Sequence, residues 1–223
     1  MTPMIRAQNI TKTYVSKGIE TRVLRGISLH IKKGEFVAIM GRSGAGKSTL
    51  LYQLSLLDTP TEGKIFLSDE DTSNLSNEER TRFRLHRLGY VFQDYALIPD
   101  LTAIENVMIP LLMQGMSQKK AEEKSLKSLE RVELSHRKDN LPSELSGGEQ
   151  QRAAIARAVV HTPDIIFADE PTANLDTVSS KAVLDLLLEL HKKGQTIVMV
   201  THEEEYGALA ERIIRLSDGV VVS

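Results

Sequence analysis

The sequence predicts an α/β fold in which a mostly parallel sheet carries an antiparallel β subdomain and an inserted helical subdomain. Three observations predict it. Short apolar runs with strand character alternate with segments of helical period, the pattern of a parallel sheet covered by helices. Two β-rich stretches, Ile5 to Tyr14 and Arg25 to Met40, precede the first helix. The chain from Asp94 to about Thr162 is almost wholly helical in spacing. A single domain spanning 1–223 follows, with the core and β subdomain in 1–93 and 163–223 and the helical subdomain in 94–162.

Each element has a local reason. Phe36 to Met40 is an apolar run flanked by Gly34 and Gly41, which suits a buried strand. The stretch GRSGAGKS, Gly41 to Ser48, then turns the chain into a helix expected to reach about Leu57. Pro60 and Gly63 break the chain before a strand at Lys64 to Ser68. Ser76 with Glu79, and Thr102 with Glu105, are capping-box pairs that start helices. Gly89 closes the first of these before the strand YVFQ, Tyr90 to Gln93. Helical spacing covers Thr102 to Gln114 and Ser117 to Val132. Strands resume at DIIFAD and TIVMVTH, around a helix that puts Val183, Leu186, Leu187 and Leu190 on one face. A hairpin turning at Asp218-Gly219 follows.

Composition narrows the function classes. A formal charge of −2 gives no overall field for nucleic acid or acidic lipid, and the Lys pairs 32/33, 119/120 and 192/193 are scattered. The absence of cysteine excludes disulfides and thiolate metal sites and agrees with a reducing compartment, so a cytoplasmic location is expected. The opening residues read as no secretory signal, and no window nears the roughly 20 apolar residues of a membrane span. Work at a membrane would therefore pass through a partner.

GRSGAGKS satisfies G-x-x-x-x-G-K-[ST] directly after an apolar strand and before a helix, the context that gives the pattern meaning. Gly41, Arg42, Ser43, Gly44, Ala45 and Gly46 bring backbone N–H groups close to phosphate oxygens. Lys47 supplies a point charge to the β- and γ-phosphates and Ser48 a ligand for Mg²⁺. Thr49 lies in the first helical turn, where the helix dipole favours an anion. Downstream, DIIFA delivers Asp169 and Glu170. Strand alternation is expected to send them apart, Asp169 to Mg²⁺ through water and Glu170 to the nucleophilic water.

With these residues in hand, the sequence resembles the ATP-binding subunits of ABC transporters along nearly its whole length. LSGGEQ, Leu145 to Gln150, is similar to that family's signature motif; Gln93 matches its Q-loop glutamine, Asn174-Leu175-Asp176 its D-loop, and His202 in VTHE its switch histidine. The resemblance implies a P-loop NTPase fold of ABC type, with ATP and Mg²⁺ as cofactors. It also implies two copies stacked head to tail, so that ATP on one phosphate loop is covered by Ser146, Gly147 and Gly148 of the other copy. Gln93 would join Ser48 and Asp169 at the metal, Asp176 would contact the opposite active site, and Tyr14 would stack on adenine. Glu170, His202 and Lys47 are the implied catalytic residues. Two departures, Glu149 for the frequent Gln and Ala173 for the frequent Gly, touch neither the metal nor the base position.

The wording of LLDTPTEGKI, of the segment after Gln93 with Leu97, Ile98 and Leu101, and of LPSELSGGEQQR is similar to the macrolide-exporter and lipoprotein-release branch. That implies an ATPase held at the cytoplasmic face of the cell membrane by a separate transmembrane permease, with no direct nucleic-acid contact. A cell-division-type regulator of envelope hydrolases using the same clutch remains open, as does a soluble ABC ATPase acting on DNA or ribosomes. The sequence names neither cargo, direction nor permease.

Overall fold

The computed structural model describes residues 3–222, so Met1, Thr2 and Ser223 of the expected 1–223 domain lie outside the described residues. Its contacts divide the chain into two compact units, Met1–Arg82 with His191–Ser223, and Phe83–Leu190.

The first unit holds two sheets. Strands β1 (Ile5–Ser16), β2 (Ile19–Ile31), β4 (Glu62–Leu67) and β5 (Glu70–Asp71) form an antiparallel sheet ordered β2-β1-β4-β5. The β1–β2 hairpin turns through Lys17 and Gly18 at φ 51° and 78°, the double left-handed turn that matches strand twist. In the second sheet β3 (Phe36–Met40) runs parallel to both β8 (Thr196–Val200) and β9 (Arg212–Ser217), and β10 (Val220–Val221) folds back antiparallel on β9. Every residue of β3 and β8 is buried, as continuous apolar runs in a parallel sheet should be. The β9–β10 turn is Asp218-Gly219 as expected, at φ 49° and 79°.

Helix α1 (Lys47–Leu54) is shorter than the sequence predicts. It ends in a Schellman turn: the Leu57 amide donates to the Tyr52 carbonyl (3.0 Å) and the Leu56 amide to that of Gln53 (3.2 Å), with Leu56 at φ 60°. Glycine normally marks that left-handed position. Leucine there hides the stop from a sequence reading and costs roughly 1 kcal/mol of backbone strain.

The second unit pairs β6 (Leu88–Val91) in parallel with β7 (Ile165–Asp169) and carries α3 (Ala103–Met113), α4 (Gln118–Arg131) and α5 (Gly147–Val159). The chain passes between the units within α2 (Asn77–Arg87) and α6 (Thr177–Lys192). Both predicted capping boxes are present, Ser76 with Glu79 and Thr102 with Glu105. Strand β6 stops at Val91 instead of reaching Gln93. On α6 the buried stripe is Ser180, Val183, Leu184 and Leu187, so Leu184 takes the place expected for Leu186. Fully buried Asn106 ties down the loop before α3: its amide donates to the carbonyls of Ile98, Leu101 and Thr102, and its oxygen accepts from the Ile98 amide at 2.7 Å.

Candidate functional site

In the first unit the phosphate loop leaves β3 and enters α1 through Gly46, whose φ of 96° puts the helix N-cap in a conformation open to glycine. No side chain caps this helix start. Its first-turn N–H groups point where an anion would sit, and the positive dipole end adds to them. Lys47 is only 7% exposed, and its ammonium donates to the Arg42 carbonyl at 3.3 Å, folding back over the loop. Ala45 is clasped from both sides: its amide donates to the Arg42 carbonyl at 3.1 Å, and its carbonyl accepts from Gly219 at 3.2 Å. Gly219 in turn accepts from the Arg25 amide of β2 at 2.9 Å, so the β9–β10 turn braces the loop against the antiparallel sheet.

His202 follows β8, and the pairing of Ile39 with Val200 brings it to the same end of the same sheet as Gly41 to Ser48. That end, beyond the carboxyl termini of parallel strands, is where ligands bind in sheets of this kind. The imidazole is half-exposed, with Nε2 3.4 Å from the Glu203 carboxylate. Tyr14, on β1, is 41% exposed, leaving ring surface open to a base. Burial and the neighbouring Asp58 carboxylate push its hydroxyl above the usual phenol range.

The second unit carries the acidic pair. Asp169 ends β7 and is 5% exposed. Glu170 lies outside the strand at φ 44°, so the strand alternation expected to separate the two carboxylates ends at Asp169 and a left-handed residue follows. Such a conformation in a non-glycine residue costs about 1 kcal/mol or more and tends to concentrate at working sites. Gln93 is exposed in the segment just past β6, and its carbonyl accepts from the Asn174 amide at 3.3 Å. The same amide reaches the Asp94 carboxylate at 3.2 Å, and Tyr95 donates from its hydroxyl to the Asn174 carbonyl at 3.4 Å. Residues 93–95 and the Asn174-Leu175-Asp176 turn are thereby laced together.

Arg157, which the sequence reading passed over, completes the lacing. From α5 its guanidinium donates to the carbonyls of Ala96 (2.5 Å) and Tyr95 (2.9 Å), residues at φ 49° and 58°. Its trace in the sequence was a lone cation on the alanine-rich stretch AAIARAV. Asp176 works locally as the cap of α6, accepting from the Ser179 amide (2.9 Å) and hydroxyl (2.8 Å). Of the apolar residues flagged beyond Gln93, Ile98 is exposed while Leu97 and Leu101 are half-buried.

Ser146 is the exposed N-cap of α5 in a full capping box: its hydroxyl accepts from the Glu149 amide at 3.3 Å, and Glu149 accepts from the Ser146 amide at 2.8 Å. This gives the Glu149 departure a physical role, since its carboxylate also meets Arg137 at 3.2 Å. The Ser146 amide holds the Glu149 carboxyl below its ordinary range, against a smaller opposing push from burial. Gly148 is required by close approach, because a Cβ there would lie 2.6 Å from the Ser179 hydroxyl and 2.8 Å from its Cβ. A bulky residue at the exposed cap projects outward instead. Ser146→Trp is therefore expected to leave nucleotide affinity within about twofold and to lower turnover at least about a hundredfold, the scale of losing one preorganised anion site. Paired binding and phosphate-release assays check it, and wild-type turnover would refute it.

Ser48, Gln93 and Asp169 offer a hydroxyl, an amide oxygen and a carboxylate, hard oxygen donors that fit Mg²⁺. Among the described residues no group of three or more His, Cys, Asp or Glu could hold a metal ion. No helix among the described residues is long and apolar enough to cross a membrane.

The sequence model of the ABC transporter family matches residues 24–173. The lipoprotein-releasing system ATP-binding protein LolD of Aquifex aeolicus is 50% identical over 222 residues, covering 100% of this chain and 97% of LolD. The macrolide export ATP-binding/permease protein MacB of Chlorobium luteolum is 46% identical over 222 residues, and the chain spans 33% of that longer protein. Among solved structures, the dimeric post-hydrolysis state of the ATP-binding cassette MJ0796, bound to ADP and Pi, superposes with a TM-score of 0.92 at 42% identity, over 99% of this chain and 97% of that one.

Proposed function

Because the chain belongs to the ABC transporter family, as an ATP-hydrolysing subunit of the LolD and MacB kind, we propose that two copies close around two ATP molecules and drive a separate membrane permease from the cytoplasmic face. The observation that carries the pairing is the exposed start of α5. Ser146 is exposed at the positive start of α5, followed by half-buried Gly147 and buried Gly148, a helix end able to receive an anion. A second copy's γ-phosphate gives that surface its ligand, and the dimeric MJ0796 cassette supports the arrangement.

In this reading the residues divide the labour. The backbone of Gly41 to Gly46 and the Lys47 ammonium hold the phosphates, Thr49 adds to the positive helix start, and Tyr14 stacks on adenine. Ser48, Asp169 and Gln93 hold Mg²⁺, which when bound neutralises phosphate charge. Glu170 orients the attacking water and accepts its proton, while His202 steadies the γ-phosphate. The second copy's contacts to the γ-phosphate exist only with the copies closed, so its loss shifts the equilibrium to the open state. Asp176 faces the opposite copy, and the 93–96 segment passes the change towards the permease through Asn174 and Arg157.

Two measurements test the proposal together. Specific ATPase activity should rise with protein concentration as copies pair, and capture from detergent-solubilised membranes should recover a multi-span permease. A specific rate independent of concentration would sink the pairing. Recovery of ribosomes or DNA in place of a permease would sink the coupling.

A further inference from the structure

Tyr14 sits on β1, yet the group that aims its ring lies just past the far end of α1. The Tyr14 hydroxyl donates to Asp58 Oδ2 at 2.9 Å, and the Gln53 amide donates to the same oxygen at 3.0 Å. The other oxygen, Oδ1, accepts from the Lys12 ammonium at 2.8 Å and from the Thr59 amide at 2.7 Å. Lys12 also donates to the Thr59 carbonyl at 2.7 Å and lies 4.8 Å from the Tyr14 ring centroid. Gln53 is itself fully buried on α1, so this carboxylate is fixed from behind. The Schellman turn that ends α1 at Leu56 delivers Asp58 to the spot, its amide also donating to the Tyr52 carbonyl at 3.1 Å. Burial pushes the Asp58 carboxyl up, but the donors Lys12, Tyr14, Thr59 and Gln53 together outweigh it and hold the group ionised to below its ordinary range.

We propose that Asp58 is a positioning residue for the nucleotide base, locking the Tyr14 ring to the helix that begins at Lys47. The inference rests on the reading that Tyr14 stacks on adenine. An exposed tyrosine tethered only at its backbone samples several ring orientations, and binding a base would have to order it. The Asp58 clamp removes that freedom in advance. Lys12 attends one face of the ring as a cation, so the base takes the other. Base platform and phosphate helix then share a single rigid connection, and the distance between adenine and triphosphate contacts is set before ATP arrives.

The test compares dissociation constants for ATP and for inorganic tripolyphosphate, which has no base, in Tyr14→Ala, Tyr14→Phe, Asp58→Ala and the Tyr14→Phe/Asp58→Ala double variant, with a thermal melt for each. Tyr14→Phe keeps the ring and removes the hydroxyl, which is the tether to Asp58 and also meets the Thr49 side chain. Asp58→Ala and Tyr14→Phe are each expected to weaken ATP about threefold to tenfold, the cost of ordering one side chain. Tripolyphosphate affinity should stay unchanged, and the double variant should be no weaker than the worse single one. Should Asp58→Ala fail to fold, Tyr14→Phe alone decides. If Tyr14→Ala weakens ATP while Tyr14→Phe and Asp58→Ala bind it like the parent, the positioning role is overturned and the stacking survives. If Tyr14→Ala also binds ATP like the parent, both are overturned. Equal losses for ATP and tripolyphosphate would make Asp58 a support of the fold only and overturn the proposal.

Discussion

Lys47→Ala is expected to weaken ATP binding at least about a hundredfold, taking it out of the range of ordinary titration. The ammonium is 7% exposed and already bent towards the loop through the Arg42 carbonyl, so it is placed to meet phosphate without first being ordered. Removing one partner of a buried charge pair costs about 3–5 kcal/mol, or roughly two to four powers of ten in affinity. Alanine is the best helix former, so the first turn of α1 should persist. Calorimetric titration reads the affinity, and a thermal melt shows whether the fold is intact. Unchanged affinity in a folded variant would remove Lys47 from the phosphate site.

Glu170→Gln should do the reverse, keeping ATP and losing turnover. The amide matches the carboxylate in size and imposes no new demand on the left-handed backbone at φ 44°. It cannot accept a proton from water, and general-base catalysis typically contributes about 10²- to 10⁴-fold. With hydrolysis that slow, ATP-bound pairs should accumulate. Size-exclusion chromatography at saturating Mg-ATP reads the outcome directly. A variant that stays monomeric while fully loaded with ATP would contradict the clutch.

How much of this was legible beforehand follows from which signals are local. The loop Gly41 to Ser48 and the capping boxes at Ser76 and Thr102 are written in contiguous residues, and the structure has the elements they start where expected. The end of α1 was misplaced because Leu56 occupies a left-handed cap without glycine to announce it. The stop of β6 before Gln93 was missed because Phe92 continues the apolar pattern after the strand has ended. Asn106, Arg157 and Asp58 escaped for a different reason. Each acts through carbonyls or hydroxyls brought near by folding, and no spacing rule encodes partners such as Ala96 for Arg157 or Tyr14 for Asp58. Glu149 shows the same principle from the other side, since a residue that looked like a drift from pattern closes the cap of α5 and pairs with Arg137.

The brace behind Ala45 carries a consequence for biogenesis. Gly219, translated long after the phosphate loop itself, supplies the donor that closes the loop around Ala45 and the acceptor that fastens Arg25. Contacts so distant in sequence form late, after loop-closure entropy has been overcome. A nascent chain that has not yet received the β9–β10 hairpin therefore has its nucleotide cradle drafted but unfastened, and competence to hold ATP waits on the arrival of Gly219.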